Sequence, residues 1–253
     1  MRSPPGRALV VTPTYNERDT VADLVRRALT AADVDVLIVD DASPDGTGTI
    51  ADELAAAHPR VHVLHRAAKH GLGSAYRTGF RWGMQQRFDV FVEMDADLSH
   101  DPGQLPQLLE ATRTSDVVVG SRYVRGGHTR NWPWYRRLLS WGGNLYVQLV
   151  TGIPVRDATS GYRAFRREVL AELEVESLRS DGYSFQVETV LRAWRAGFVV
   201  TEIPITFVER RTGSSKISRA IVVEAVWRVL RWGLQGPRNA ADRHPRSVRS
   251  PVG

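Results

Sequence analysis

Short apolar runs alternate with helix-forming segments through the first half of the chain, and this alternation constrains the fold more than any other feature. The runs are ALVVTP, VDVLIVDD, VHVLHR, FDVFVEMDAD and DVVVGS. Their apolarity is close to continuous, which is typical of strands that are covered on both faces. Between the first two runs, apolar residues recur at helical spacing from Val21 to Leu29. The pattern predicts an α/β fold with a doubly wound, mostly parallel sheet.

The domain organisation follows from the lack of any repeat or linker before the last part of the chain. We expect one domain over residues 1–235 and a basic, disordered tail over residues 236–253. The domain ends in a helical appendage at about residues 218–235, in which Val222, Val223, Val226, Val229 and Leu230 form an apolar stripe. Such an amphipathic helix can lie flat on a membrane or dock on a partner. A plain structural helix fits the same pattern equally well.

Composition excludes several classes of site. The chain has no cysteine, which rules out disulfides and cysteine-based zinc sites. No run reaches the roughly 18 apolar residues that a membrane span needs. The amino terminus lacks the apolar core of a signal peptide, so we expect a protein on the cytoplasmic side without a span of its own. The net charge of +6 favours an anionic partner.

Polar residues follow the predicted strands. The segments at the strand ends are TPTYNE, VDDASPDGT, MDADLS and GSRY. In a doubly wound sheet, ligands bind outside the carboxyl ends of the strands. Each segment alone is also typical of ordinary turns and helix caps, but together they predict a binding site at one edge of the sheet.

Two aspartates of the third segment, Asp95 and Asp97, are separated by one residue. Where a strand gives way to a loop, both carboxylates can turn toward one hard cation. Mg²⁺ and Mn²⁺ prefer oxygen ligands and commonly share them with substrate phosphates. No third acidic neighbour suggests a cage made by the protein alone. The pair therefore predicts a metal that bridges to a diphosphate.

The first two segments suggest a nucleoside site. Asp40, Asp41 and Glu17 can accept hydrogen bonds from a ribose hydroxyl or a base N–H. Tyr15 can flank a planar base, although a packed loop aromatic is the alternative. The segment KHGLGSA, which contains Lys69, begins a helix whose free N–H groups favour phosphate. It is not a Walker loop, because GxxxxGK[ST] does not occur in the chain.

Seven motifs in order carry a resemblance to a known family. They are VVTPTYNE, VDDASPDGT, KHGLGSAYRTGF, DADLSHDP, GSRYVRGG, DATSGYRAFRR and FVERRTGSSKIS. From Ala8 to Leu234 the chain resembles the family 2 inverting glycosyltransferases, and more narrowly the dolichol- or polyprenol-phosphate mannosyltransferases (polyprenol monophosphomannose synthases). The resemblance implies a Rossmann-like GT-A fold, a GDP-mannose donor, a divalent metal (Mg²⁺ or Mn²⁺) and a polyprenyl monophosphate acceptor.

The resemblance also implies roles for particular residues. The nucleotide-sugar site would comprise Pro13, Tyr15, Glu17, Val39, Asp41, Lys69, Asp95, Ala96, Asp97, Arg122, Arg210 and Lys216. Asp95 and Asp97 would hold the metal, and Asp97, Arg122 and Lys216 would be the catalytic group. Some family members have glutamine two residues after the second aspartate as a further metal contact. This chain has Ser99 there, which leaves the coordination shell open.

The acceptor chemistry explains why cations rather than histidines crowd the later motifs. A phosphate monoester has a second pKa of about 6, so it is already mostly dianionic and needs no general base. Arg136 and Ser140 lie one helical turn apart, and in the resembling family an arginine and a serine at this spacing hold the lipid phosphate. Trp132, Trp134 and Trp141 suit a membrane interface, with the protein core as the alternative.

Three rival interpretations remain open at this point. The first is a related enzyme that uses UDP-glucose or another nucleotide sugar. The second is a basic nucleic-acid-binding protein, which only the net charge supports. The third is an inactive partner subunit, against which the intact motif residues argue. We expect GDP-mannose, the lipid phosphate and a membrane surface as partners, no nucleic acid, peripheral association with the membrane, and a membrane-spanning partner subunit as an open possibility.

Overall fold

The computed structural model describes residues 6–178, 180–209 and 219–235, with side chains in the last range described from residue 224 onward. The strands are β1 (Ala8–Thr14), β2 (Val34–Asp40), β3 (Val61–His65), β4 (Val90–Glu93), β5 (Val117–Ser121), β6 (His128–Arg130), β7 (Arg163–Arg166), β8 (Val200–Pro204) and β9 (Thr206–Val208). The helices are α1 (Val21–Ala31), α2 (Thr47–Ala57), α3 (Leu72–Gln85), α4 (Leu105–Ala111), α5 (Trp134–Thr151), α6 (Arg167–Glu172), α7 (Gly182–Arg195) and α8 (Arg219–Leu234).

The central sheet contains seven strands in the order β3-β2-β1-β4-β7-β5-β8. Strand β7 runs antiparallel to β4 and β5, and the other neighbouring pairs are parallel. Strands β6 and β9 form a separate parallel pair. The chain runs outward from β1 to β3 and then continues at β4, on the other side of β1. Because the strand order reverses between β1 and β4, a ligand crevice is expected at their carboxyl ends.

Helices cover both faces of this sheet. In β1, Leu9 and Val11 belong to one apolar cluster, with residues of α3, α5, α7 and α8. Ala8 and Val10 belong to the cluster on the opposite face, with residues of α1, α2 and α4. This burial on two sides is the physical reason for the nearly continuous apolarity of the strand sequences.

Two glycines let α3 lie close to the sheet. A Cβ atom on Gly79 would stand 2.4 Å from Val11 Cγ1, and one on Gly83 would stand 2.5 Å from Phe91 Cε1. Neither position leaves room for a side chain. The close approach places the first turns of α3 beside the loop that follows β4.

The α/β fold and all five strands predicted from the first half of the sequence are confirmed. Helix α8 occupies the predicted appendage, where Val229 is buried and Val226 is exposed. Its amphipathic character and the division into one domain stay predictions, and the tail at 236–253 lies outside the described residues. Among the helices of the described ranges, none combines the length and apolarity that a bilayer crossing requires.

Candidate active site

The carboxylate pair lies in the loop after β4, at the point where the strand order reverses. Asp95 and Asp97 are half-buried on either side of the buried Ala96. The Tyr76 hydroxyl donates to Asp95 Oδ1 at 3.3 Å, and the Ser99 N–H donates to Asp97 Oδ1 at 3.0 Å. Both carboxylates are therefore held in place from within the fold.

The donor chemistry of this pair fits a divalent cation that the protein shares with a substrate. Two carboxylates are the oxygen ligands that Mg²⁺ and Mn²⁺ prefer. Within the described ranges, no group of three or more His, Cys, Asp or Glu residues could hold a metal. Further ligands would have to come from a bound diphosphate or from water. Ser99 is buried, and its backbone N–H holds Asp97 in place.

A glutamate and an arginine are buried in the sheet next to the carboxylates. Glu93 of β4 stands opposite Arg163 of β7 in the sheet register, and both are fully buried. Burial raises the pKa of Glu93 to about 8, against the opposing effect of Arg163. The Arg163 guanidinium donates to the carbonyls of Gln186 and Ala158, which ties β7 to α7. The sequence pattern gives no sign of an arginine on a central strand of the sheet.

His100 is buried next to the carboxylate loop. It stacks on Tyr162 at 5.1 Å between ring centroids, and its Nδ1 lies 4.0 Å from Asp95 Oδ2, beyond hydrogen-bond distance. Burial lowers the pKa of His100 to about 4. The imidazole is therefore neutral near pH 7, and its ring packs against Tyr162 and Phe207.

The residues expected to bind the nucleoside meet at the ends of β1 and β2. Pro13 and Val39 are partners in the strand register, and the Asp41 N–H donates to the Thr14 carbonyl. Lys69 Nζ lies 3.8 Å from the centroid of the Tyr15 ring.

The carboxylates in this region already have partners in the fold. Arg66 forms a buried ion pair with Asp41 at 2.8 Å. Burial raises the pKa of Asp41, and Arg66 opposes that effect. Glu17 accepts from the Thr20 hydroxyl at 3.1 Å. Asp40 instead accepts from Thr14 and Ser43, so it braces its own loop rather than facing a ligand.

One N–H at the start of α3 has a partner within the protein. The Gly73 N–H donates to the carboxylate of Asp181, which precedes α7. Phosphate binding at this helix start stays a prediction. Lys69, two residues before the Gly71 that precedes α3, lies on Tyr15.

Arg122, directly after β5, is held rigidly by Asp157. Its Nε and Nη2 donate to the two Asp157 oxygens at 2.8 and 2.7 Å, and its backbone N–H donates to Asp157 Oδ2 at 2.9 Å. Burial alone would lower the pKa of Arg122, but the Asp157 carboxylate raises it above its ordinary value. The cation is thus permanently charged and fixed in orientation.

The same cluster connects Arg122 to α5. Asn144 of α5 donates to Thr159 Oγ1 at 3.1 Å and accepts from the Thr159 N–H at 3.2 Å. Thr159 in turn accepts from Arg122 at 3.0 Å. The roles of Asp157, Thr159 and Asn144 were not predictable from the sequence, because these contacts join segments that are distant along the chain.

A cavity of about 180 Å³ opens beside Arg122. Its polar lining consists of Arg122, Arg136, Ser140, Thr159 and Ser184. Its remaining walls come from α5, α7, α8 and the segment before α5, and they are Trp132, Leu139, Gly143, Tyr146, Val147, Tyr183, Val187, Ala225, Val226 and Val229. Cations thus stand in a cavity with largely apolar walls. Arg136 is ion-paired there with Glu209, which follows β9.

The tryptophans divide between the cavity and the surface. Trp132 packs on Phe207 at 5.2 Å between ring centroids. Trp134 is 74% exposed and Trp141 is 51% exposed, which excludes the core for these two. Arg210 and Lys216, two further residues expected at the nucleotide-sugar site, lie outside the described residues.

Comparisons with known proteins show the family to which this chain belongs. The model of glycosyl transferase family 2 matches residues 9–174. The chain is 53% identical over 229 residues to an undecaprenyl-phosphate mannosyltransferase of Micrococcus luteus, across 90% of this chain and 94% of the relative. It is 50% identical over 236 residues to a polyprenol monophosphomannose synthase of Mycolicibacterium smegmatis, across 92% and 89%.

A solved structure supports the fold. A mannosyltransferase from Pyrobaculum calidifontis, in complex with GDP-Man and Mn²⁺, aligns with a TM-score of 0.54 at 16% identity, over 93% of this chain and 75% of that one. At this identity the likeness concerns the fold alone, and it confirms the expected GT-A architecture. Together with the family match and the two relatives, it identifies the chain as a member of glycosyl transferase family 2, a glycosyltransferase that belongs with the polyprenyl-phosphate mannosyltransferases.

Proposed function

We propose that this chain transfers mannose from GDP-mannose to a polyprenyl monophosphate with inversion, which yields polyprenyl-phosphate β-D-mannose and GDP. The observation that carries the proposal is the cavity beside Arg122, in which Arg122, Arg136 and Ser140 stand among apolar walls. A phosphate attached to an isoprenoid chain matches both parts of that lining. The relatives at 53% and 50% identity carry names of this activity. A UDP-glucose donor is not favoured, because both named relatives are mannose-transferring enzymes.

The donor would lie across the carboxyl ends of β1, β2 and β4. Asp41 and Glu17 would accept hydrogen bonds from the nucleoside, and Tyr15 with Lys69 would flank the base. Asp95 and Asp97 would hold Mg²⁺ or Mn²⁺ against the diphosphate. When bound, the metal neutralises the charge that develops on the departing nucleotide.

The acceptor would be the nucleophile without help from a base. Its phosphate is mostly dianionic near neutral pH, because its second pKa is about 6. His100, the histidine beside the carboxylates, is a weak base, because burial lowers its pKa to about 4. The residues of this chain would therefore act by positioning the acceptor phosphate. Arg122 and Arg136 would hold it, and the apolar walls of the cavity would exclude water. Attack from the side opposite the diphosphate inverts the sugar linkage.

An exposed apolar surface suggests how the enzyme reaches a lipid. On α5 it comprises Trp134, Tyr135, Leu138, Leu139, Trp141, Leu145 and Leu149, and on α8 it comprises Val226, Trp227, Leu230 and Leu234. We name these residues the α5–α8 apolar surface. Both helices also line the cavity. The chain would thus sit peripherally on the cytoplasmic side of a membrane, with or without a membrane-spanning partner subunit.

A donor panel tests the proposal. Purified protein with Mn²⁺ and a polyprenyl monophosphate receives GDP-mannose, GDP-glucose, UDP-glucose or UDP-mannose, each radiolabelled in the sugar. GDP-mannose is expected to give a lipid product that mild acid releases as mannose. Omission of the metal and replacement of the lipid phosphate by the free polyprenol are the controls. Lipid labelling by UDP-glucose in preference to GDP-mannose would overturn the sugar and base assignments.

A further inference from the structure

The carboxylate of Glu209 is held by an arginine of the cavity where the acceptor phosphate would bind. Glu209 Oε1 is ion-paired with Nη1 of Arg136, and Arg136 is one of the two arginines that line the cavity. The Glu209 backbone is fixed at the end of β9, because its N–H donates to the Arg130 carbonyl at 3.0 Å. The Glu209 side chain therefore extends to Arg136 from a backbone position that is held by a hydrogen bond.

The ion pairs cancel the charge of the two arginines. Arg122 is paired with Asp157, and Arg136 is paired with Glu209. A phosphate dianion that bound these two guanidinium groups would compete with the two carboxylates that they already hold. Because like charges at short range repel strongly in a partly buried site, tight binding of the phosphate requires one carboxylate to move away.

The two carboxylates differ in how firmly they are held. Asp157 is fully buried and accepts from the backbone N–H, Nε and Nη2 of Arg122, so its release would leave a buried charge without partners. The Glu209 side chain is 21% exposed, and its Oε2 has no hydrogen-bond partner among the described residues. Glu209 is therefore the carboxylate that can turn aside at the lower cost.

We propose that Glu209 is a specificity-determining residue that takes the place of the acceptor phosphate on Arg136 until a lipid-linked phosphate displaces it. This inference rests on the proposed function. Displacement costs the Arg136–Glu209 ion pair, and an acceptor with an isoprenoid chain offsets that cost by burying the chain against Leu139, Val187 and Val229. Inorganic phosphate has no such chain. Glu209 thus excludes free phosphate from the acceptor site.

The test is equilibrium binding without any donor, by titration calorimetry, of farnesyl monophosphate and of inorganic phosphate to the full chain. Glu209→Gln keeps the shape of the side chain and removes its charge. We expect this variant to bind inorganic phosphate at least about fivefold more tightly than the wild type, and to discriminate less between the two ligands. Glu176→Gln is the matched control, because Glu176 is ion-paired with Arg81 outside the cavity.

A double variant keeps the inference testable against a merely structural role. With Arg136→Met already present, Glu209→Gln should no longer tighten phosphate binding. Unchanged or weaker binding of phosphate by Glu209→Gln alone would overturn the inference, as would an equal gain in the Glu176→Gln control. Turnover of GDP-mannose is measured separately. If the wild type turns over GDP-mannose but Glu209→Gln does not bind phosphate more tightly, only this inference is refuted. If Glu209→Gln binds phosphate more tightly but GDP-mannose is not turned over, only the proposed transfer is refuted.

Discussion

Buried charges hold the side chains of this site in position. The Asp157 carboxylate binds Arg122, which lies 35 residues away in the sequence. Arg163 is fully buried on a central strand, a position that is rare for an arginine. Only the folded chain brings these partners together, so the sequence alone does not predict their contacts.

Removal of the charge at position 157 should destabilise the protein strongly. In Asp157→Asn the buried Arg122 guanidinium loses its counter-charge, and breaking a buried ion pair from one side costs about 3–5 kcal/mol. Urea unfolding measures this change. Asp33→Asn, which breaks the Arg60–Asp33 pair at the surface, should leave the free energy of unfolding nearly unchanged, because water screens an exposed pair. If both variants lost the same small free energy of unfolding, the Asp157–Arg122 ion pair would not contribute to stability.

A second substitution tests whether the clamp acts through Arg122. The variant Arg122→Met in the Asp157→Asn background removes the stranded cation. The double variant should recover part of the lost stability. Asp157→Asn alone leaves the Arg122 guanidinium buried without a counter-charge, whereas the double variant removes both charges of the pair. Additive losses in the double variant would contradict this account.

The carboxylate pair gives a second prediction at the residue scale. Asp97→Asn retains the hydrogen bond from the Ser99 N–H but weakens the hold on a divalent cation. We expect turnover to fall by at least about 100-fold at saturating Mn²⁺, with an unchanged unfolding midpoint. Asp101→Asn in the same loop is the control, because Asp101 caps the short turn at Pro102–Gln104 and pairs with Arg27. Metal-dependent turnover near the wild-type rate would refute the role of Asp97.

Among the secondary-structure elements, those that the sequence could predict were long enough to show a pattern and were buried on both faces. Strands β1 to β5 are covered on both faces, and their apolar runs were recognisable. Strands β6 and β9 have three residues each, too few for any periodicity. Strand β7 reads RAFR, and its arginines conceal a central strand. Helix α5 was expected to carry Arg136 and Ser140 one turn apart, and both line the same cavity.

Helix α5 therefore carries the prediction that belongs to this scale. Arg136→Ala removes a cation from the polar lining of the cavity and should raise the KM for the polyprenyl phosphate about tenfold, whereas the KM for GDP-mannose changes little. Steady-state kinetics with each substrate varied in turn measures the split. Arg137→Ala is the control from the same helix, since Arg137 is exposed and does not line the cavity. Unchanged lipid kinetics in Arg136→Ala would place the acceptor phosphate elsewhere.

The whole molecule separates a nucleotide side from a lipid side. The expected donor residues gather at the carboxyl ends of the strands, where the order reverses between β1 and β4. The cavity lies among α5, α7 and α8, whose buried residues belong to one apolar cluster of the sheet. Arg122 stands where these two regions meet. Such an arrangement lets a water-soluble donor and a lipid acceptor approach the same point from different surroundings.

The α5–α8 apolar surface should accordingly govern attachment to lipid bilayers. Trp134 and Leu138 lie one helical turn apart and are 74% and 57% exposed. Replacing both by serine should weaken binding to vesicles of phosphatidylglycerol and phosphatidylcholine about tenfold or more, because apolar side chains supply much of the free energy of interfacial binding. Cosedimentation measures the change. Ala56→Ser on α2, a helix on the opposite face of the sheet, is the control and should bind vesicles like the wild type.

The same double variant separates attachment from chemistry. Neither Trp134 nor Leu138 lines the cavity. Its turnover of GDP-mannose with farnesyl monophosphate dispersed in detergent should therefore stay within about twofold of the wild type, since that acceptor reaches the cavity without a bilayer. Activity on a long polyprenyl phosphate embedded in vesicles should fall in parallel with vesicle binding. A variant that kept full vesicle binding would show that another part of the chain meets the membrane, and an equal loss with both acceptors would mean that the two side chains support the cavity itself.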